Sequence, residues 1–268
     1  GGMKSISALD VDPATRQWLL TAWFMVAVTI VLIPSALVDT RTLDGVGVWV
    51  KPLKFSISLA LHFLTLALLA LLLTPANRES PRFAQLVQWS VGFALFEIGY
   101  LAYQAGRGRH SHFNFDTGFE TGMYALMGVG ATLLTVVPFA MGLWLRRQKD
   151  DGSGLWLGAV LGLLLAPVLT LVVTGYMSSV VYSHSIGEVA GGDIGMPVIG
   201  WSRVTGDLRP SHFVALHSLQ ILPLAGYAAD RIAPPRARAI VWAAAGLLTL
   251  STVVLFVQAL LGRPLWPL

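Results

Sequence analysis

The chain has 268 residues, of which 55% are hydrophobic and 12% are charged. An average soluble domain is about 25% charged, so this composition excludes an ordinary water-soluble protein and predicts an integral membrane protein whose main partner is the lipid bilayer. The formal net charge is +4. In a membrane protein, basic loops set the topology and contact anionic lipid, so this charge does not require a nucleic-acid partner. The absence of cysteine excludes disulfides and thiolate metal ligands.

Seven long apolar segments follow one another along the chain, each close to the roughly 20 residues that a helix needs to cross a bilayer. Charged residues and Pro- or Gly-containing stretches separate them. They predict an all-α, polytopic transmembrane bundle in which residues 1–268 form a single membrane domain. The predicted spans are 18–38, 50–74, 83–105, 121–145, 155–177, 211–229 and 238–261.

The distribution of Lys and Arg predicts the orientation, because short cytoplasmic loops are enriched in both. One set of connections is short and basic, as in Arg146, Arg147 and Lys149, whereas the basic residues of the other set are spread through longer segments. The sequence therefore predicts a multi-pass protein of the inner (plasma) membrane with a cytoplasmic N-terminus and an outer C-terminus. The long connection 178–210 then lies on the outer side.

The three outer connections are rich in Gly, aromatic residues, histidines and carboxylates, unlike the short inner loops. Mixed nitrogen and oxygen donors of this kind suit zinc or a di-metal centre. Alternatively, the His-x-His motif at residues 110–112 belongs to an ordinary solvated loop. The interpretation that we carry forward is a metal site at the outer mouth, with His110, His112, Asp116, Glu120, His184 and His212 as ligands.

Three ionisable residues lie inside the predicted spans at comparable depth. A rise of 1.5 Å per residue puts His62 about 16 Å, Glu97 about 12 Å and His217 about 10 Å from the outer ends of their helices. Ionisable groups that face lipid cost several kcal/mol, so these side chains are expected to turn inward and line a wet cavity. The sequence thus predicts an outward-opening funnel with Glu97 as a catalytic or proton-relay group.

The leading functional prediction is that His62 and His217 bind a b-type haem or a non-haem metal such as iron or zinc between the second and sixth spans. Imidazole nitrogen suits these metals, and helical bundles commonly build such sites from facing helices. Lys51, Lys54 and Arg209 lie near the outer ends of the same helices and are expected to receive haem propionates. Such a site would make the chain a membrane oxidoreductase that exchanges electrons with quinone or an outer-side redox partner.

A second interpretation is a zinc-dependent intramembrane lipid hydrolase. The segment Ser58-Leu-Ala-Leu-His62 resembles the Ser-x-x-x-His element of the alkaline-ceramidase and adiponectin-receptor superfamily. The resemblance implies a seven-helix fold, a catalytic role for Ser58, a zinc site at His62, and a zinc-bound water that attacks a lipid amide or ester. That family has His-x-x-x-His in its last helix, whereas His212 and His217 are five residues apart, which separates their side chains by about 140° around a helix.

A third interpretation makes the funnel a ligand site or a proton-coupled transport path, in which Glu97 and the histidines relay protons. The intervals and motifs of the spans suggest no internal repeat of the kind that builds many transporters, which disfavours this interpretation. The sequence leaves open whether the chain is an enzyme.

Overall fold

The structure is a computed structural model that describes residues 11–187, 195–196 and 199–266. The described part of the chain is mostly helical. A π-helical turn (Met177–Val181) extends the sixth helix, and a 3-10 turn (Pro234–Arg236) precedes the eighth. The helices are α1 (Pro13–Val38), α2 (Val50–Ala70), α3 (Pro75–Arg78), α4 (Pro81–Arg107), α5 (Gly118–Arg146), α6 (Gly154–Tyr176), α7 (Arg209–Ile232) and α8 (Ala237–Leu260).

Two short antiparallel ribbons interrupt the helical order. In the first, β1 (Thr42–Leu43) pairs with β2 (Val46–Gly47), and a tight turn joins the two strands. In the second, β3 (Ser185–Ile186) pairs with β4 (Gly206–Asp207). Each ribbon immediately precedes a long helix, α2 or α7, and so anchors the point at which that helix begins.

Five helices in the described residues are long and apolar enough to cross a membrane: α1, α2, α5, α6 with its π turn, and α8 with its 3-10 turn. This agrees with the predicted all-α class and with a membrane protein. Helices α4 and α7, with 27 and 24 residues, have sufficient length but carry more polar side chains. They correspond to the predicted spans 83–105 and 211–229, so the count of seven spans stays a prediction.

The chain divides into two compact units, Gly1–Val137 and Pro138–Leu268. In the first unit, α1 packs on α2, and α4 packs on both. Trp18 is fully buried there, and its indole N–H donates a hydrogen bond of 2.8 Å to Ser90 Oγ. The ring of Phe83 meets the indole edge at a centroid distance of 5.2 Å. Helix α1 begins where Asp12 accepts a hydrogen bond from the Thr15 N–H, as an N-cap residue does.

In the second unit, α7 packs on both α6 and α8. Glycines at every fourth position of α6 allow its backbone to approach α7 closely, as small residues do in membrane helix pairs. A Cβ at Gly158 would overlap the backbone carbonyl of Leu222. One turn earlier on α6, Asp230 of α7 accepts hydrogen bonds from the first two N–H groups of that helix, those of Gly154 (2.7 Å) and Leu155 (2.8 Å).

The same order of elements occurs in both units. A long helix leads to a two-stranded ribbon and then to two more long helices. The three long helices are α1, α2 and α4 in the first unit and α6, α7 and α8 in the second. The middle helices share the pattern basic-x-Ser-x-x-x-Ala-Leu-His, at residues 54–62 and 209–217. The serine of each copy, Ser56 or Ser211, is fully buried.

The third helices agree still more closely, because residues 81–109 and 235–263 align without a gap and both end in Gln-Ala-x-x-Gly-Arg. Gly108 and Gly262 end their helices in the left-handed conformation, with φ of 65° and 70°. The side-chain amides of Gln104 and Gln258 each donate to the carbonyl six residues later, at 3.0 and 2.7 Å. We conclude that one helix–ribbon–helix–helix module occurs twice, and the expectation of no internal repeat was wrong.

Candidate functional site

A buried polar stripe runs along α4 in the first unit. Glu97, Tyr100 and Gln104 are three and four residues apart, which places them on one helical face. Their exposed fractions are 5%, 5% and 0%. The Tyr100 hydroxyl has no hydrogen-bond partner among the described residues. The polar column predicted from the sequence is therefore present, and it faces the interior of the unit.

The loop after α4 brings His112 to this stripe. Its Nε2 lies 4.0 Å from Glu97 Oε1, and its ring contacts those of Phe55 and Tyr124 at centroid distances of 5.8 and 6.1 Å. Burial lowers the pKa of His112 well below its usual range, and the positive charge of Lys51 lowers it further. His112 is therefore neutral at pH 7, and it meets Glu97 as a neutral imidazole.

Ser111 orients the His112 ring. Its hydroxyl lies 3.0 Å from Nδ1 of that ring, and the serine is itself 5% exposed. With Nδ1 engaged by the hydroxyl, Nε2 is the nitrogen that faces Glu97. The charge of Lys51 acts on Glu97 as well, so the site combines a carboxyl group, a neutral imidazole and one ammonium group.

Ion pairs with Arg109 hold the loop that carries His112. Glu120 is 1% exposed and receives two hydrogen bonds from this guanidinium, one at 2.6 Å from Nη2 and one from Nε. The side-chain amide of Gln104 also donates to Glu120, at 3.1 Å. Asp116 lies 3.1 Å from the same guanidinium at the surface. Both acids were predicted to bind a metal, and in this structure they pair with Arg109, whose pKa is raised by the hydrogen bond to Glu120.

The other predicted ligands of the outer mouth each have contacts within their own unit. His110 Nε2 lies 3.2 Å from Asp44 Oδ2 in a solvent-exposed pair. His184 contacts Ser185 Oγ through Nδ1 at 3.0 Å, and it belongs, like His212, to the second unit. Within the described residues, no three His, Asp or Glu side chains are grouped closely enough to hold a metal ion. The metal centre at the mouth therefore rests on the sequence alone.

His62 lies in α2 and is the predicted axial ligand of the first unit. Its Nε2 is buried and has no hydrogen-bond partner among the described residues, and its ring meets the edge of Phe63 at 5.6 Å. Ser58 lies one turn earlier and is exposed, as are Lys51 and Lys54 near the start of the helix. The polar column of α2 thus runs from an exposed end to a half-buried imidazole whose Nε2 is buried.

His217 occupies the equivalent position in the second module. Its Nδ1 lies 3.2 Å from the side-chain oxygen of Gln220, and the ring of Phe213 stacks near it at 4.3 Å. His212, five residues earlier on α7, interacts with it electrostatically. Although the five-residue spacing argued against a shared ion, the two imidazoles therefore influence each other's charge.

Arg209, a predicted contact for haem propionates, is bound to Asp207. Its guanidinium donates to both carboxylate oxygens of Asp207, at distances down to 2.6 Å, and to the Gly200 carbonyl at 2.7 Å. Burial alone would raise the pKa of Asp207, but the hydrogen bonds and the positive charge of Arg209 outweigh burial, and the pKa lies below its usual value. Arg209 therefore fixes the second ribbon at the start of α7.

Sequence reasoning missed Tyr124 and Phe55, which form the aromatic wall around His112. Tyr124 lies four residues after Glu120, so helical spacing is the signal that could have found it. No protein-family model, curated protein or solved structure matches the chain. The geometry of the site is therefore the basis for its proposed function.

Proposed function

We propose that this chain is a seven-span integral protein of the inner membrane whose first unit contains a proton-linked binding site formed by Glu97, His112 and Lys51. In this proposal α4 and α7 cross the bilayer together with the five more apolar helices, the N-terminus is cytoplasmic and the C-terminus lies outside. The function is that of a proton-coupled transporter or ligand-binding membrane protein.

The observation that carries the proposal is the environment of Glu97. A carboxyl group that is 5% exposed, in a helix packed against apolar helices, faces a neutral imidazole at 4.0 Å. Ionisable groups inside a membrane are rare and expensive, and they mark proton relays or ligand sites. A proton can pass between Glu97 Oε1 and His112 Nε2 after a small closure of their distance, while Lys51 compensates the carboxylate charge when the proton leaves.

The duplicated module favours transport over a purely structural role. Many membrane transporters are built from internal repeats, either inverted or parallel, with helices that carry their polar groups near the bilayer midplane. Here each middle helix carries a histidine at the same position of the shared pattern, His62 in α2 and His217 in α7. The duplication removes the reason for which the sequence disfavoured a transporter.

Infrared titration of the purified protein in mild detergent tests the proton site. We expect a carboxyl band that appears on acidification of the wild type, is missing from Glu97→Gln and changes its midpoint in His112→Gln. The matched control is Glu79→Gln, because Glu79 lies exposed on the connection between α2 and α4. The same titration spectrum in Glu97→Gln and wild type would rule out Glu97 as the proton-binding group.

The unpartnered Nε2 of His62 favours a second candidate, a metal or haem ligand in α2. A buried imidazole nitrogen without a hydrogen bond is suited to donate its lone pair to iron or zinc. Elemental analysis and the absorption spectrum of untagged protein separate the possibilities. Iron with a haem spectrum that is lost in His62→Gln would support the redox function, and zinc with lipid hydrolysis that is lost in Ser58→Ala would support the hydrolase. Protein without either metal would favour the proton site alone.

A further inference from the structure

A groove of about 770 Å³ runs along the second unit, between α6, α8 and the end of α5. Its walls are almost entirely apolar, with leucine and phenylalanine side chains from α5 and α6. Small residues of α8, Ala245, Gly246 and Thr249, form its floor. The groove therefore has the shape and surface of a channel for a hydrocarbon chain.

The length of the groove matches one leaflet of a bilayer. Its lining on α8 extends from Trp242 to Val253. At 1.5 Å per residue this is about 16 Å, which is close to half of the roughly 30 Å hydrocarbon core. An acyl chain that enters from one membrane surface would fill the groove and end near the bilayer centre.

The polar end of the groove is basic. Arg146, at the end of α5, is the charged residue among those that line it. The ion pair between Arg238 and Asp150, at 3.0 Å, joins the start of α8 to the connection that follows α5, so Arg146 lies at the Trp242 end. Arg146 is exposed and forms no ion pair within the described part of the chain. Tryptophan and arginine are the residues that mark the headgroup level of a membrane.

We propose that this groove binds a phospholipid with an anionic headgroup. One acyl chain lies along α8 in the apolar channel, and the phosphate accepts hydrogen bonds from the Arg146 guanidinium, a group suited to phosphate recognition. The proposal rests on the insertion of the chain in a membrane, and it is independent of the proton site in the first unit.

Native mass spectrometry of the full chain, with phosphatidylglycerol or phosphatidylcholine of identical acyl chains, tests this site. We expect the wild type to retain phosphatidylglycerol about fivefold more than phosphatidylcholine, the effect of one basic residue at an anionic surface. Arg146→Gln should lose this preference. Arg147→Gln is the matched control and should keep it, because Arg147 does not line the groove.

A second variant tests the channel itself. A Cβ at Gly246 would meet no atom within 4 Å, so Gly246→Leu can fill the groove without disturbing the helix contacts. We expect this variant to lose both lipids while it stays in the membrane fraction after an alkaline wash. The proposal would be overturned if the wild type retained the two lipids equally, or if Arg146→Gln and Arg147→Gln had equal effects. It would also be overturned if the wild type formed a dimer and bound neither lipid. Release by the alkaline wash would instead reject membrane insertion itself, and the lipid site with it.

Discussion

Glu97 and Asp207 are both buried carboxyl groups, but their surroundings differ. Asp207 is 4% exposed and is held by the Arg209 guanidinium and by the N–H groups of Ser202 and Arg209. Such a fully bonded carboxylate is held in one geometry and stays ionised at neutral pH. Glu97 instead faces a neutral imidazole at 4.0 Å, the arrangement on which the proposed proton exchange rests. Two carboxyl groups with nearly equal burial thus differ in their partners.

The Asp207–Arg209 pair predicts how stability depends on pH. The lowered pKa of Asp207 in the folded chain means that the pair stabilises the fold above the unfolded carboxyl pKa, about 3.9, and that this stabilisation is lost as the pH falls through the folded pKa. Asp207→Asn should therefore cost about 1–3 kcal/mol at pH 7, with a smaller difference from wild type below about pH 4. Thermal unfolding of both proteins in detergent, at pH 7 and below about pH 4, measures the cost of the substitution under each condition.

Asp150→Asn is the control, because its pair with Arg238 is 39% exposed on both sides and such surface pairs contribute about 0–1 kcal/mol. A loss in Asp150→Asn as large as that in Asp207→Asn would contradict the role of burial.

The sequence identified Glu97 but not its partner. Helical spacing put Glu97, Tyr100 and Gln104 on one face, and the structure buries all three. The position of His112 depends instead on the loop after α4, in which Phe113 adopts a left-handed φ of 51° and Arg109 binds Glu120. Hydrophobic periodicity carries no information on such a loop, since its geometry is decided by local hydrogen bonds.

At the scale of elements, every predicted span corresponds to a helix, and the differences lie at the ends. Helix α1 begins at Pro13, five residues before the predicted span, because Asp12 caps it and proline is favourable in the first turn. The ribbons were not predicted, since strands of two residues carry no periodic signal. The repeat was missed because the copies share few residues and differ in the length of the connection that holds the ribbon.

The contact between α6 and α7 depends on glycine. Gly158→Ala should destabilise the second unit by about 1–3 kcal/mol, because its Cβ would overlap the Leu222 carbonyl and force the helices apart. Gly175→Ala in the same helix is the matched control, since a Cβ there meets no atom within 4 Å. Alanine favours a helix over glycine by about 1 kcal/mol, so the control should be neutral or stabilising in thermal unfolding. Equal melting temperatures for the two variants would exclude close packing at Gly158.

At the scale of the whole molecule, composition was sufficient to predict a helical membrane protein, but it could not decide how many helices cross. Each module supplies three of the seven proposed spans, and α5 is the remaining one. Helices α4 and α7 are the two in question, because the polar groups that make them chemically interesting also lower their hydropathy. The number of spans and the function are therefore linked, since Glu97 lies in a bilayer only if α4 crosses it.

Because the chain has no cysteine, single introduced cysteines can measure its topology. Asp44, Asp116 and Lys149 are exposed and lie in three different connections, which makes each a suitable labelling site. With seven spans and a cytoplasmic N-terminus, a membrane-impermeant maleimide added to intact cells should label Asp44→Cys and Asp116→Cys, and should reach Lys149→Cys after permeabilisation. If the five more apolar helices alone cross, Asp116→Cys becomes protected and Lys149→Cys becomes labelled, while Asp44→Cys does not change. Protection of both aspartate positions with labelling at Lys149→Cys would indicate seven spans in the opposite orientation, so that the site at Glu97 and His112 would open toward the cytoplasm.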